Sequence, residues 1–238
     1  MKKKGPFHYI IAAITLLIGL ILVIKFTGKD ILRLYLEAGV GNCKELPILC
    51  AVPQEIFAKD SLMVPALELL PYTLKKIKIS LPPGFNAVEE DIRKVYYKKH
   101  KRLYDGAVVY VLYKDVDFFT GLFPELKKIG INDDAGFIER TMSADLHNTN
   151  SLADAFFVIM KGIFASDLGS QENLKMVKLY SPGRISYINF NISEKGNYFD
   201  SNLVDKREGF FKIYIKDTQS QLDLEKVILI LSTVEKIS

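Results

Sequence analysis

A chain of 238 residues has room for one domain with additions or for two small ones. Its content of 49% apolar and 25% charged residues is that of a folded globular protein and excludes a long disordered tract. A formal net charge of +4 is too small to argue for a nucleic-acid partner, and no repeat at a solenoid period is present.

The N-terminus, "MKKKGPFHYIIAAITLLIGLILVIKFTGKD", carries the strongest signal. Phe7 to Ile24 are 18 consecutive uncharged positions, with His8 the only strongly polar group. As a helix they reach about 27 Å, close to the hydrocarbon thickness of a bilayer. A cleaved signal peptide has a shorter apolar run, of about 7–15 residues, followed by a small-x-small site. The stretch "KFTGKDILRLYLEAGVGNC" offers no such site, and Asn42 stands where a lipobox needs a small residue before Cys43. An uncleaved anchor is therefore expected. Lys2, Lys3 and Lys4 precede the span while Lys25, Lys29 and Arg33 follow it, a modest bias toward a cytoplasmic N-terminus. This divides the chain into a cytoplasmic tail (1–6), a transmembrane signal anchor (7–27) touching the lipid bilayer through 7–24, a helical neck (28–75) and an extracytoplasmic α+β domain (76–238). The chain is expected to be a single-pass membrane protein.

The two cysteines, Cys43 and Cys50 in "CKELPILC", then lie in an oxidising compartment. Six residues separate them, where a redox pair has two, and the next histidine in sequence is His100. A small disulfide loop follows, which stabilises by about 2–3 kcal/mol on the chain-entropy estimate. Two buried thiols are the alternative.

Beyond the span, "DILRLYLEAG" is helical, with Ile31, Leu34 and Tyr35 at i, i+3, i+4 and a stop at Gly39 and Gly41. Residues 42–75 read as short helical or irregular pieces broken by Pro53, Pro65 and Pro71. "LKKIKISLPPGF" opens the folded domain as a strand with Ile77 and Ile79 on one face. "IRKVYYKKHKRLYDGAVVYVLYKD" predicts two strands joined near Asp105-Gly106. The middle is helical: "VDFFTGLFPELKKIG", "DDAGFIERTMSAD", and "SLADAFFVIMKGIFAS" with Ser151 as N-cap and Asp154 in capping-box position. Leu152, Phe156, Ile159 and Ile163 mark one face of that last helix. The final third alternates strands with turns, as in Phe211, Ile213 and Ile215 against Lys212, Tyr214 and Lys216. It closes on a helix with Ser220 as N-cap, Asp223 completing a capping box, and Leu224, Val227, Ile228 and Leu231 as packing stripe.

Strands, a helical middle, more strands and a final helix predict a largely antiparallel sheet covered by helices, an α/β/α sandwich. The segments "IKISLPPGF" and "FFKIYIKDTQSQLDLEKVILILSTV" give this order a resemblance to the PsbP-like sandwich domains of extracytoplasmic proteins over about residues 76–236. The resemblance implies a binding or assembly role and transfers no site residue.

The inventory of chemistry is thin. Asp145 and His147 in "DLHNTN" are the one acid–base pair close in sequence, and no nucleophile-elbow, zincin, Walker or dinucleotide motif occurs. No catalytic residue, metal ligand or cofactor is assigned. Arg93, Lys94, Lys98, Lys99, Lys101 and Arg102 form a basic segment that reads as an anionic-surface contact or as the solvated face of a strand. The expected partners are the bilayer and a protein at the membrane, not nucleic acid. The function class is a non-catalytic binding or assembly domain. Two alternatives stand beside it: an enzyme of unrecognised type using the Asp145/His147 loop, and a pilin-like subunit. The latter is opposed by Pro6 after the leader glycine and by Ile10 where pilins carry Glu.

Overall fold

The computed structural model describes residues 29–57, 67–74, 76–90, 93–98, 107–165, 168 and 173–237. The span expected over 7–24, together with His8, His100 and the Asp105-Gly106 turn, lies outside the described residues. Among the described residues no helix is long and apolar enough to cross a membrane.

The fold is α+β with a mixed sheet. Strands β1 (Gln54–Phe57), β4 (Phe85–Glu90), β5 (Arg93–Lys98), β6 (Ala107–Lys114), β7 (Lys175–Ser181), β8 (Arg184–Ser193), β9 (Gly196–Asp205) and β10 (Gly209–Asp217) form one eight-stranded sheet. Its order is β1-β7-β8-β9-β10-β6-β5-β4. Every pair in it is antiparallel except β1 with β7. A second sheet holds β2 (Leu70–Leu74), β3 (Ile77–Leu81) and β11 (Glu235–Lys236) in the order β11-β3-β2. The sheet is mixed because the stretch read as irregular supplies β1, which the crossover through the helical middle leaves parallel to β7.

Helices cover both faces. On one, α5 (Leu224–Ser232) seats Val227, Ile228, Ile230 and Leu231 against Val177, Leu179, Ile188, Phe199, Leu203, Phe211, Ile213 and Ile215, with Ile77, Ile79 and Leu81 in the same cluster. On the other, α1 (Lys29–Gly39), α2 (Phe118–Leu122), α3 (Asp134–Met142) and α4 (Leu152–Phe164) pack on Met176, Tyr187, Val204 and Phe210. Phe119 sits at the centre of this cluster, with ring centroids 4.9–5.3 Å from those of Phe137, Phe164 and Phe210.

Three expectations are corrected. In α1 the buried residues are Leu32 and Leu36, while Leu34 is 61% exposed. In α4 the buried residues include Phe157, Val158, Lys161 and Phe164, while Leu152 and Ile163 face solvent. Phe156 and Ile159 are partly buried, and the one lysine of the helix lies on the buried side, where its ammonium reaches two main-chain carbonyls. The N-cap of α5 is Asp223, which accepts from the Lys226 amide, and Ser220 instead turns the chain at φ 52°. The Ser151 cap on the Asp154 amide is as expected.

Lys161 is fully buried. Its ammonium donates to the Ala51 carbonyl at 2.7 Å and the Ala144 carbonyl at 2.6 Å, clamping the chain just after Cys50 to the chain just before Asp145. Burial pulls its pKa from 10.5 to about 8, opposed by the Asp145 carboxylate. Below about pH 8 both folded and unfolded chains hold this proton, and the cost of burying the charge is fully present. Between about 8 and 10.5 the unfolded chain binds more protons than the folded one, so stability rises with pH. Denaturant titrations from neutral pH to about pH 9.5 should therefore show stability rising in the wild-type protein relative to Lys161→Met. Parallel pH profiles would contradict this assignment.

Candidate functional site

In an antiparallel sheet, side chains alternate between faces, and directly opposed residues stand about 4.5–5.5 Å apart at Cβ. On the α5 side of β8, β9 and β10 the alternation yields an apolar face. On the other side it yields a polar and aromatic grid, one end of which meets the cluster of α2–α4. Asn189 stands opposite Asp200, and Asp200 opposite Tyr214. In the next row Tyr187, Asn202 and Lys212 are opposed; in the row beyond, Asn191, Tyr198 and Lys216. Tyr110 of β6 extends the central row, stacked on Tyr214 with centroids 5.0 Å apart.

Asn189, Asp200 and Asn202 are each 0% exposed. Lys212 donates to the Phe164 carbonyl at 2.6 Å, which places the C-terminal end of α4 beside the grid. Its ammonium also lies 3.5 Å from the Asp200 carboxylate, so the two charges offset each other. Burial, reinforced by Glu139, pushes the Tyr187 phenol up and holds it neutral. The Lys216 ammonium stands 6.0 Å from the Tyr198 ring centroid.

Both amide atoms of Asn189 and both of Asn202 are buried without a hydrogen-bond partner among the described residues. A carboxamide offers two donors and an acceptor oxygen, and leaving one unpaired in the interior costs about 1–3 kcal/mol. Several other buried polar groups of the fold have structural work. Asp134 accepts from the Phe119 and Thr120 amides, Asp217 from the Gln219 and Leu222 amides, and Ser186 and Ser201 pair at 2.8 Å. A groove of about 380 Å³ on the α5 side is lined by Leu179, Leu203, Ile228 and Leu231 with Arg184, whose guanidinium is already taken by Asp205, Glu208 and the Val234 carbonyl. Within the grid, the carboxamides of Asn189 and Asn202 thus carry polar capacity that no described residue uses.

The sequence-predicted residues lie elsewhere. Cys43 and Cys50 stand at disulfide distance, with Cα atoms 5.7 Å apart. Asp145 and His147 belong to a short 3₁₀ turn at Leu146–Asn148, where the Asp145 carboxylate accepts from the His147 amide at 2.9 Å and from Asn148 Nδ2 at 2.6 Å. The His147 ring faces Cys43, with Nε2 3.5 Å from Sγ. Of the basic segment, Arg93, Lys94 and Lys98 fall on β5, with Arg93 opposite Glu90 and Lys94 opposite Glu89 in register. Lys99, Lys101 and Arg102 lie outside the described residues. The grid itself escaped the sequence reading, although "SYINFNI" and "YFDSN" place a polar residue at every second position of a strand.

No protein-family model matches the chain, and no curated protein matches it.

Substituting the grid asparagines by leucine removes buried polar atoms that have no hydrogen-bond partner among the described residues. Asn189→Leu and Asn202→Leu are therefore expected to raise the unfolding free energy of the unliganded protein, by up to about 1–3 kcal/mol each. Chemical denaturation checks this, and a loss of similar size would show that both amides are paired in the native state.

Proposed function

We propose that this chain is a membrane-anchored, extracytoplasmic binding protein, held by the apolar segment 7–24, whose folded part takes up a small uncharged ligand on the β8–β10 face. The fold is read as an α/β/α sandwich of PsbP-like type, a group whose members mostly bind or assemble. One observation carries the ligand reading: the buried carboxamides of Asn189 and Asn202, without a hydrogen-bond partner among the described residues, within a grid that also holds tyrosines. Such amides suit a molecule that presents adjacent donors and acceptors, as vicinal hydroxyls or a peptide group do. With Lys212 and Asp200 close to each other, the site has no strong preference for either sign of charge. The tyrosines supply flat apolar contact with polar tips.

Calorimetric titration of the full-length protein in detergent, with neutral oligosaccharides in one series and uncharged peptides in another, tests the reading. Saturable binding in one series, weakened about tenfold or more by Asn202→Leu, supports it. Binding unchanged by Asn189→Leu and Asn202→Leu together counts against it.

The anchoring is tested separately. A reporter active only outside the cytoplasm, fused after Ser238, should be active. A silent external reporter beside an active cytoplasmic one reverses the orientation.

A further inference from the structure

Two loops far apart in sequence meet beside the cysteine pair. The first carries Cys43 and Cys50 and is braced by the Asn42 carboxamide, whose oxygen accepts from the Lys44 and Glu45 amides at 2.9 and 3.1 Å. The second is the turn at Leu146–Asn148, braced by Asp145. The ammonium of Lys161 holds the two together through the carbonyls of Ala51 and Ala144, one residue past Cys50 and three residues before His147. The sulfur atoms and a His147 ring nitrogen all lie within 4.8 Å of one another, and Cys43 Sγ lies 3.5 Å from His147 Nε2.

Around tetrahedral zinc, with bonds of about 2.3 Å to sulfur and 2.0–2.1 Å to nitrogen, a sulfur and a nitrogen ligand stand about 3.5 Å apart. The Cys43–His147 separation already has that value. Two adjustments remain: the two sulfurs part to about 3.8 Å, the spacing of two thiolates on one zinc ion, and Cys50 Sγ, which lies within 4.8 Å of a His147 ring nitrogen, takes up the same sulfur–nitrogen spacing as Cys43. Both cysteines are half-buried and His147 is exposed, so a fourth position opens toward solvent.

We propose that Cys43, Cys50 and His147 form a zinc site when the cysteine pair is reduced, with water as fourth ligand. The chemistry balances in two steps. An external dithiol supplies two electrons and two protons; the S–S bond breaks into two thiols, and the dithiol becomes its own disulfide. Zinc(II) then displaces one proton from each thiol and is bound by two thiolates and the neutral imidazole. Disulfide and metal compete for the same sulfurs, so the loop holds zinc only in its reduced state. The proposal is independent of the sheet-face ligand.

The test uses the full-length protein in detergent, reduced with a dithiol, desalted under anaerobic conditions and titrated with zinc(II) against a chromophoric chelator. Cobalt(II) serves as a spectroscopic stand-in. The expected result is one metal per chain and a thiolate-to-cobalt charge-transfer band. His147→Ala should weaken zinc binding about tenfold or more and alter the cobalt spectrum, and oxidised protein should take up no metal at this site. His147 is exposed and its ring supports no core packing, so the variant is expected to fold. Near-UV circular dichroism confirms that before titration. Equal affinity in wild type and His147→Ala, or equal uptake by oxidised and reduced protein, overturns the proposal. Failure of reduced wild type to bind more tightly than Cys43→Ser overturns it as well.

Discussion

The two-residue alternation of the β8–β9–β10 meander is the constraint from which the rest of the architecture follows. Each strand sends one set of side chains to each face, and a slip of one residue in any register would exchange the two sets. Ile188, Phe199, Leu203, Phe211, Ile213 and Ile215 all fall on one side, where α5 and the small sheet close over them. The other side divides. Tyr187, Val204 and Phe210 meet the aromatic cluster of α2–α4, whereas Asn189, Asp200, Asn202 and Lys212 continue the same strands as a polar grid. Burying those groups opposes folding. The apolar face and the phenylalanine cluster supply the stabilisation that lets the grid persist, which is the usual relation between a scaffold and a site.

The helical layer is fastened by lysines as well as by packing. Lys161 uses its ammonium to satisfy two carbonyls from separate loops, and Lys212 satisfies the C-terminal carbonyl of α4 from the sheet below. Lys178, almost fully buried on the same face, pairs with Glu139 of α3. Each of these cations carries long aliphatic methylenes through apolar surroundings to a polar partner at its tip. They tie α3, α4 and the cysteine loop to one another and to the sheet. This explains why a helix as apolar as α4 has a single buried side and a defined seat.

Much of this was legible in the sequence, in a graded way. The strands around Ile77, Val109, Phe211 and Ile213 were readable because one face is buried and the pattern is local. The Ser151 cap was readable because a capping box spans only four residues. Features decided by tertiary partners were not. The seat of α4 turns on Lys161 finding Ala51 and Ala144, and β1 pairs with β7 across more than a hundred residues. His147 reaches Cys43 across a separation of 104 residues, which no local pattern in the sequence signals. The grid was hidden because its members come from three strands, and each strand alone reads as an ordinary two-faced ribbon.

The central proposal is that the carboxamides of Asn189 and Asn202 pair with a bound polar molecule. High-resolution crystallographic density for the full-length protein, purified without denaturation, tests it most directly. The account predicts ordered density, from a ligand or from well-defined waters standing in for its hydroxyl or amide groups, within hydrogen-bond distance of both side chains. Amides that turn to pair with each other or with the main chain, with no density between them, would contradict it.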